Sequence, residues 1–328
     1  MRELKTIEFI CEILESQNQI KRNINKLEEI YEFFNFLVNN QNSFNTLYIY
    51  SFLFNYINNE KNAKRTSNAK LFEDFLATVF KAQISDTQKR KNLTYTVPDY
   101  FTNTKDIIAS NRREKADILF GDYKISVKTL LQKNYELNMG SFEKKVLFDD
   151  LGVNDFLNER KSNKIAGLGS ATQLRYLFKQ IQVFDKYNFF TEKLINMCSF
   201  IFAEDMLLAI KDNLKMHLYF IKGSNFLKVF KDNCNDISSL VKVINRWEGN
   251  SIRIDRRAII DNCYKNLTLD FSILNNSILK QINEFDLYLH KNYARYFNEP
   301  NFKAKEEIIK KLDELFEYFN KNYPKVLK

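Results

Sequence analysis

Asp117, Ser126 and Lys128 are the residues whose types and spacing could do chemistry. Ala116 to Phe120 and Tyr123 to Thr129 are β-favouring runs parted by Gly121-Asp122, and a two-residue turn that opens on glycine suits a tight hairpin. If Phe120 pairs with Tyr123, then Leu119 falls opposite Lys124, Ile118 opposite Ile125 and Asp117 opposite Ser126. Side chains alternate along a strand, so Asp117, Ser126 and Lys128 share one side while Ile118, Ile125 and Val127 take the other. Hydrolysis of a phosphodiester with one or two metal ions needs carboxylates to hold Mg2+ and a cation near the scissile phosphate. A ribbon presenting Asp117 beside Lys128 meets that need, and the same pair also suits a salt bridge on a half-exposed sheet face.

The elements that must position these residues can be read along the chain. Apolar residues recur at helical spacing from Glu3 to Glu15 and from Ile20 to Val38, and a third helical run follows from Ser43 to Ile57. Asn59 to Ser67 is polar and basic and reads as a linker. Ser67 can cap a helix beginning near Ala69, whose stripe of Leu71, Phe72, Phe75 and Val79 leaves Glu73 on an adjoining face. Leu93 to Val97 suits a strand ending at Pro98, and Lys105 to Arg113 a short basic helix or loop. After the hairpin come Glu136, a turn-like Asn138-Met139-Gly140-Ser141, and Glu143. The Gly167 to Ser170 loop precedes a helix from about Thr172 to Tyr187. Met206 to Ile210 and Lys215 to Ile221 read as a second hairpin, followed by a helix from Asn225 to Lys231. From Ser272 the chain looks helical and closes on an amphipathic run from Ala304 to Asn320.

At the hairpin the chain resembles the PD-(D/E)XK nuclease superfamily, and type II restriction endonucleases in particular. Ala116-Asp117 stands where Pro-Asp would be, Ser126-Val127-Lys128 stands for the acid-x-Lys, and Phe72-Glu73 matches an acid on the preceding helix. The resemblance covers about residues 68 to 130 by motif. Position 126 is serine, and a hydroxyl is a poor replacement for a charged Mg2+ ligand. Some restriction enzymes look like this, with the missing acid moved downstream. Glu143 is the first candidate for it and Glu136 the second. The resemblance implies that Asp117, Glu143 and Glu73 hold Mg2+, with Mn2+ able to stand in, and that Lys128 orients water and stabilises charge on phosphorus.

The resemblance implies an α/β protein with a restriction-endonuclease-like central mixed sheet flanked by helices. The expected division is a helical N-terminal lobe over 1–60, a catalytic core over 61–232, and a mainly helical C-terminal region over 233–328 suited to DNA recognition. The implied activity is sequence-specific hydrolysis of double-stranded DNA by a homodimer, with a cognate DNA methyltransferase as genetic partner. A structure- or modification-dependent defence or repair nuclease, and a catalytically silent DNA-binding module, are the alternatives. Arginine forks suit guanine edges, which makes Arg253, Arg256 and Arg257 candidates for base contacts or ordinary surface arginines. Lys164, Arg175 and Lys179 suit phosphates, which position without specifying.

Composition fits without deciding. The 328 residues carry 50 Lys+Arg against 41 Asp+Glu, a net charge of +9, compatible with a polyanion partner. His217 and His290 are the only histidines and lie far apart in sequence, so histidine-based metal sites and Ser/His or Cys/His catalysis are poorly supported. The four cysteines are widely spaced without a CxxC pair, which argues for reduced thiols rather than zinc or disulfides. No signal peptide or membrane-length apolar span is evident, and a cytoplasmic protein is expected.

Overall fold

Helical periodicity at the N-terminus produces helices. In the computed structural model, α1 (Arg2–Ser16), α2 (Leu27–Asn39) and α3 (Phe44–Asn58) occupy the first three apolar runs. Helix α2 begins later than the run from Ile20 suggests. The Lys21 ammonium pairs with Glu29, and the Asn25 amide donates to the same carboxylate at 2.7 Å. These contacts hold the approach to the helix in an irregular path, with Ile24 buried inside it. Burial works against ionisation of Glu29, yet the hydrogen bonds from Lys21 and the Asn25 amide prevail and hold its carboxyl below the usual range. The structure describes residues 2–58, 67–84, 116–141, 171–183, 185–248 and 251–298, with positions 310, 314, 317 and 321. The linker, the strand at Leu93 to Val97, the basic stretch at Lys105 to Arg113 and the Gly167 to Ser170 loop fall almost wholly outside them.

Helix α4 (Ser67–Phe80) follows the predicted stripe, with Phe72, Phe75 and Val79 buried. It ends where Lys81 takes a left-handed φ of 52° and Ala82 N–H reaches back to the Ala77 carbonyl at 2.9 Å, a Schellman closure made without glycine. The carbonyls of Thr78 and Val79 in its last turn accept from the guanidinium of Arg22, which is 1% exposed. A cation at a helix C-terminus meets the negative end of the macrodipole as well as the orphan carbonyls.

Two sheets follow. One is mixed and six-stranded, in the order β1 (Gln83–Ile84), β2 (Ile118–Phe120), β3 (Tyr123–Leu131), β5 (Asp205–Asp212), β6 (Lys215–Ile221) and β9 (Lys265–Asp270). The other is three-stranded, in the order β4 (Glu136–Ser141), β8 (Ser251–Asp255), β7 (Ile244–Glu248). The chain is thus mixed α/β. The β5–β6 hairpin lies where predicted, turning at Asn213 with φ 44°. Strand β4 corrects the turn expected at 138–141. Strands β7, β8 and β9 lie among the helices of the region expected to be mainly helical from 233 onward. Strands β4 and β8 pair across more than a hundred residues, so local pattern underweights them.

By contacts the chain divides into two units, one of Met1–Val127, Ile210–Leu218 and Leu267–Lys328, the other of Lys128–Ala209 and Tyr219–Asn266. The first holds α1 to α4, the β2 ladder and α10 (Asn276–Asn298). Its core is aromatic: Phe72 and Phe52 each stack on Phe75, and Tyr50 meets Phe271 edge-on at 5.3 Å. A buried polar cluster joins its first and last described helices. Thr6 and Tyr48 hydroxyls donate to Asp286 at 3.0 and 2.6 Å, and Thr6 lies 2.9 Å from the His290 ring.

The second unit packs α5 (Ala171–Val183), α6 (Tyr187–Ile201), α7 (Gly223–Asn233) and α8 (Ile237–Val243) with the three-stranded sheet, and ends in α9 (Arg256–Ile260). Its helices meet through Phe202, Phe226 and Phe230. A Cβ at Gly223 would lie 2.3 Å from the Phe202 carbonyl oxygen, so only glycine fits the start of α7. Cys11, Cys198 and Cys234 are buried free thiols, and burial pushes Cys11 up to about 12. Among the described residues, no helix is long and apolar enough to cross a membrane.

Replacing Arg22 by methionine removes both carbonyl contacts from a buried site. Urea unfolding should show a loss of about 3 kcal/mol. Arg22→Lys should recover only part of it, because one ammonium cannot reproduce the planar fork across two carbonyls.

Candidate active site

The β2–β3 hairpin forms in the predicted register. Ile118 pairs with Ile125, Leu119 with Lys124 and Phe120 with Tyr123. Gly121 takes φ +67° at the first central position while Asp122 stays out of the left-handed region, as a type II′ turn requires. The rings of Phe120 and Tyr123 stack at 5.9 Å across the turn, and Phe80 of α4 meets Phe120 edge-on. Along β3, Ile125 and Val127 are buried, whereas Ser126 and Lys128 are half-buried.

The expected opposition of Asp117 and Ser126 needs correcting. Asp117 lies one residue ahead of β2, and its N–H bonds at 2.8 Å to the carbonyl of Ile125, the residue already paired with Ile118. Two residues facing one partner is the geometry of a β-bulge, which re-aims a side chain. The Asp117 carboxylate uses that freedom: its Oδ2 accepts the Val127 N–H at 2.7 Å. The carboxylate is therefore fastened to β3 by a hydrogen bond, at the residue immediately before Lys128.

Behind the hairpin, α4 packs on β1 and β2. Glu73 is not an exposed helix acid. It is 7% exposed, and its neighbour Asp74 is fully buried. Adjacent buried carboxylates on the helix that backs the ladder are a feature that the stripe of Leu71, Phe72, Phe75 and Val79 does not reveal. Glu143 and Lys164 lie outside the described residues. Among the described residues, no group of three or more His, Cys, Asp or Glu is placed to hold a metal ion. Asp117 offers one carboxylate, and Mg2+ commonly completes its shell with water and phosphate oxygens.

The remaining predicted residues lie in the second unit. Glu136 opens β4 and accepts from Arg246 Nε of β7 at 2.8 Å. Arg253 is half-buried on β8, paired in register with Asn138 and with Arg246. Arg256 serves the structure of a turn. Its Nη1 donates to the carbonyls of Gln132 and Asn134 at 2.9 and 3.0 Å, and its guanidinium covers the Tyr135 ring. Arg257 is exposed on α9. Arg175 and Lys179 are exposed on α5 at the spacing that puts both on one helix face.

Two features escape the motif. Arg246, Tyr135, Asn134 and Asn245 meet only through strand pairing across more than a hundred residues, so no local signal marks them. Lys211 was legible in principle, as a lysine ending the apolar run of β5. It is 6% exposed with its ammonium 4.5 Å from the Tyr56 ring centroid. Burial lowers its amine to about 8, and the aromatic face returns part of the lost hydration.

A lysine with a lowered folded pKa carries its penalty in full below about 8, where folded and unfolded chains are both protonated, and sheds it as the pH rises toward 10.5. Lys211→Met should therefore raise Tm at pH 7, and the gain should shrink at pH 10. Equal gains at both pH values would show that the burial of the ammonium is not the cause. No protein-family model, curated protein or solved structure matches this chain.

Proposed function

We propose that the protein is a Mg2+-dependent type II restriction endonuclease acting on double-stranded DNA, with the six-stranded sheet as a restriction-endonuclease-like core. One observation carries the reading: the Asp117 carboxylate is hydrogen-bonded to the amide of Val127, so that the acid is fixed to the strand that carries Lys128, at the residue before it. Pre-organised charges of opposite sign are what phosphodiester hydrolysis needs, because they require little reorganisation as charge develops. In this reading Asp117, with Glu143 as the moved acid and with Glu73 in support, would hold the metal, since the Glu136 carboxylate is already engaged by Arg246. A bound Mg2+ supplies Lewis acidity to the scissile phosphate. Lys128 orients the attacking water and stabilises negative charge on the phosphoryl oxygens. Cutting both strands of a symmetric site favours a homodimer, and a cognate methyltransferase would protect the host's own sites.

The serine at 126 favours a second reading, a DNA-binding module without cleavage. Digestion of unmodified plasmid separates the two. A restriction enzyme yields discrete, reproducible bands with Mg2+. Lys128→Ala should lower cleavage by roughly 10²- to 10⁴-fold while keeping most of the DNA affinity. Tight binding without cutting in either Mg2+ or Mn2+ would establish the silent module. A smear in place of bands would point to a nuclease that reads structure or modification.

A further inference from the structure

The three-stranded sheet is two-faced. Leu137, Ile244, Ile252 and Ile254 are buried, while Glu136, Asn138, Arg246, Arg253 and Asp255 alternate with them on the other side. The register shifts between Ile244 and Arg246, and a shift of this kind bends a strand and turns its side chains. On this polar side lies an open depression of about 440 Å³, lined by Asn134, Tyr135, Glu136, Asn245, Arg246 and Arg253. Its volume lies within the range of about 300–1,000 Å³ common to small-ligand sites.

The lining has a definite chemistry. Two guanidiniums against one carboxylate leave a net positive site, suited to an anion. Glu136 grips Arg246 by Nε, which holds that guanidinium's plane in one orientation. Asn134 and Asn245 bring amides, able to donate and accept at once. Tyr135 is 62% exposed, yet it is not loose. Arg256 binds the carbonyls of Gln132 and Asn134, donates its own backbone N–H to the Tyr135 carbonyl at 2.9 Å, and lies against the ring. An aromatic ring held in place at the surface, beside amides and two arginines, is the combination that binds an unstacked base with its phosphate.

We propose that this depression is a subsite for one nucleotide of a DNA strand, with the base against Tyr135, the base edge at the asparagine amides and the phosphate at Arg246 and Arg253. It rests on the reading of the protein as one that acts on DNA, but it needs no metal and none of the hairpin residues. Tyr135, Asn134, Asn245 and Arg246 thereby join Arg253 as recognition residues.

The test uses the full chain without divalent ions. A fluorescein-labelled single-stranded hexadeoxynucleotide is titrated by fluorescence anisotropy, then displaced with each deoxynucleoside 5′-monophosphate, each deoxynucleoside, or inorganic phosphate. At least one monophosphate should displace it at about tenfold lower concentration than its nucleoside or phosphate alone. Tyr135→Ala should weaken oligonucleotide binding about tenfold, and Tyr135→Phe should restore it, since stacking needs the ring and not the hydroxyl. Arg253→Gln should flatten the salt dependence by about one phosphate contact. An unchanged affinity in a folded Tyr135→Ala variant, or phosphate competing as well as every nucleotide, would overturn the proposal. Because no cutting is measured, plasmid cleavage with no nucleotide selectivity sinks this subsite alone, and nucleotide selectivity in a protein that never cuts sinks the nuclease alone.

Discussion

A charged or polar group taken out of water is costly unless it is hydrogen-bonded, and in the first unit Arg22 and Asp286 each meet part of that requirement inside the fold. Arg22 has almost no contact with solvent and binds the end of α4 through two carbonyls. Asp286 on α10 accepts from Thr6 of α1 and Tyr48 of α3, so that helices from opposite ends of the chain meet on one carboxylate. Apolar packing among many phenylalanines tolerates small slips. A buried guanidinium or carboxylate does not, because a misplaced partner leaves it unsatisfied. These few polar contacts therefore specify which arrangement of the aromatic core is adopted.

The same requirement acts at the hairpin. In a regular ladder, with Asp117 opposite Ser126, the Val127 amide would bond to the Ala116 carbonyl. The bulge at Asp117 lets the carboxylate take that amide, at the expense of one regular ladder pair. The outcome is a carboxylate held by the backbone of the strand that carries Lys128. The serine at 126 keeps the polar alternation of the strand without adding a second charge. Lys211 is the contrasting case, a cation whose described support is an aromatic ring rather than a carboxylate, and its lowered amine pKa registers the difference.

In the second unit, alternation along β4, β7 and β8 sends aliphatic residues inward and a mixture of arginine, asparagine and acid outward. Arg256, whose guanidinium fork would suit a guanine edge, braces the turn that presents Tyr135 instead. An arginine that is planar and rich in donors suits either role. Only its neighbours decide which one it performs, and here they are backbone carbonyls.

The hairpin, its register, its glycine turn, the first three helices, α4 and the β5–β6 hairpin were all legible in the sequence, since each depends on neighbours within a few residues and on periodicities of two or about 3.6. The alternation of half-buried Ser126 and Lys128 with buried Ile125 and Val127 was legible for the same reason. The bulge at Asp117 was not, because it arises when a side chain competes with the ladder for an amide. Strand β4, read locally as a turn, becomes a strand only when β8 arrives from more than a hundred residues away. Burial of Glu73 and Lys211, the capping role of Arg22 and the gathering of Tyr135, Arg246 and Arg253 likewise belong to tertiary structure. Local periodicity determines which way a side chain points on its own element, whereas what it meets there depends on contacts between segments distant in the chain.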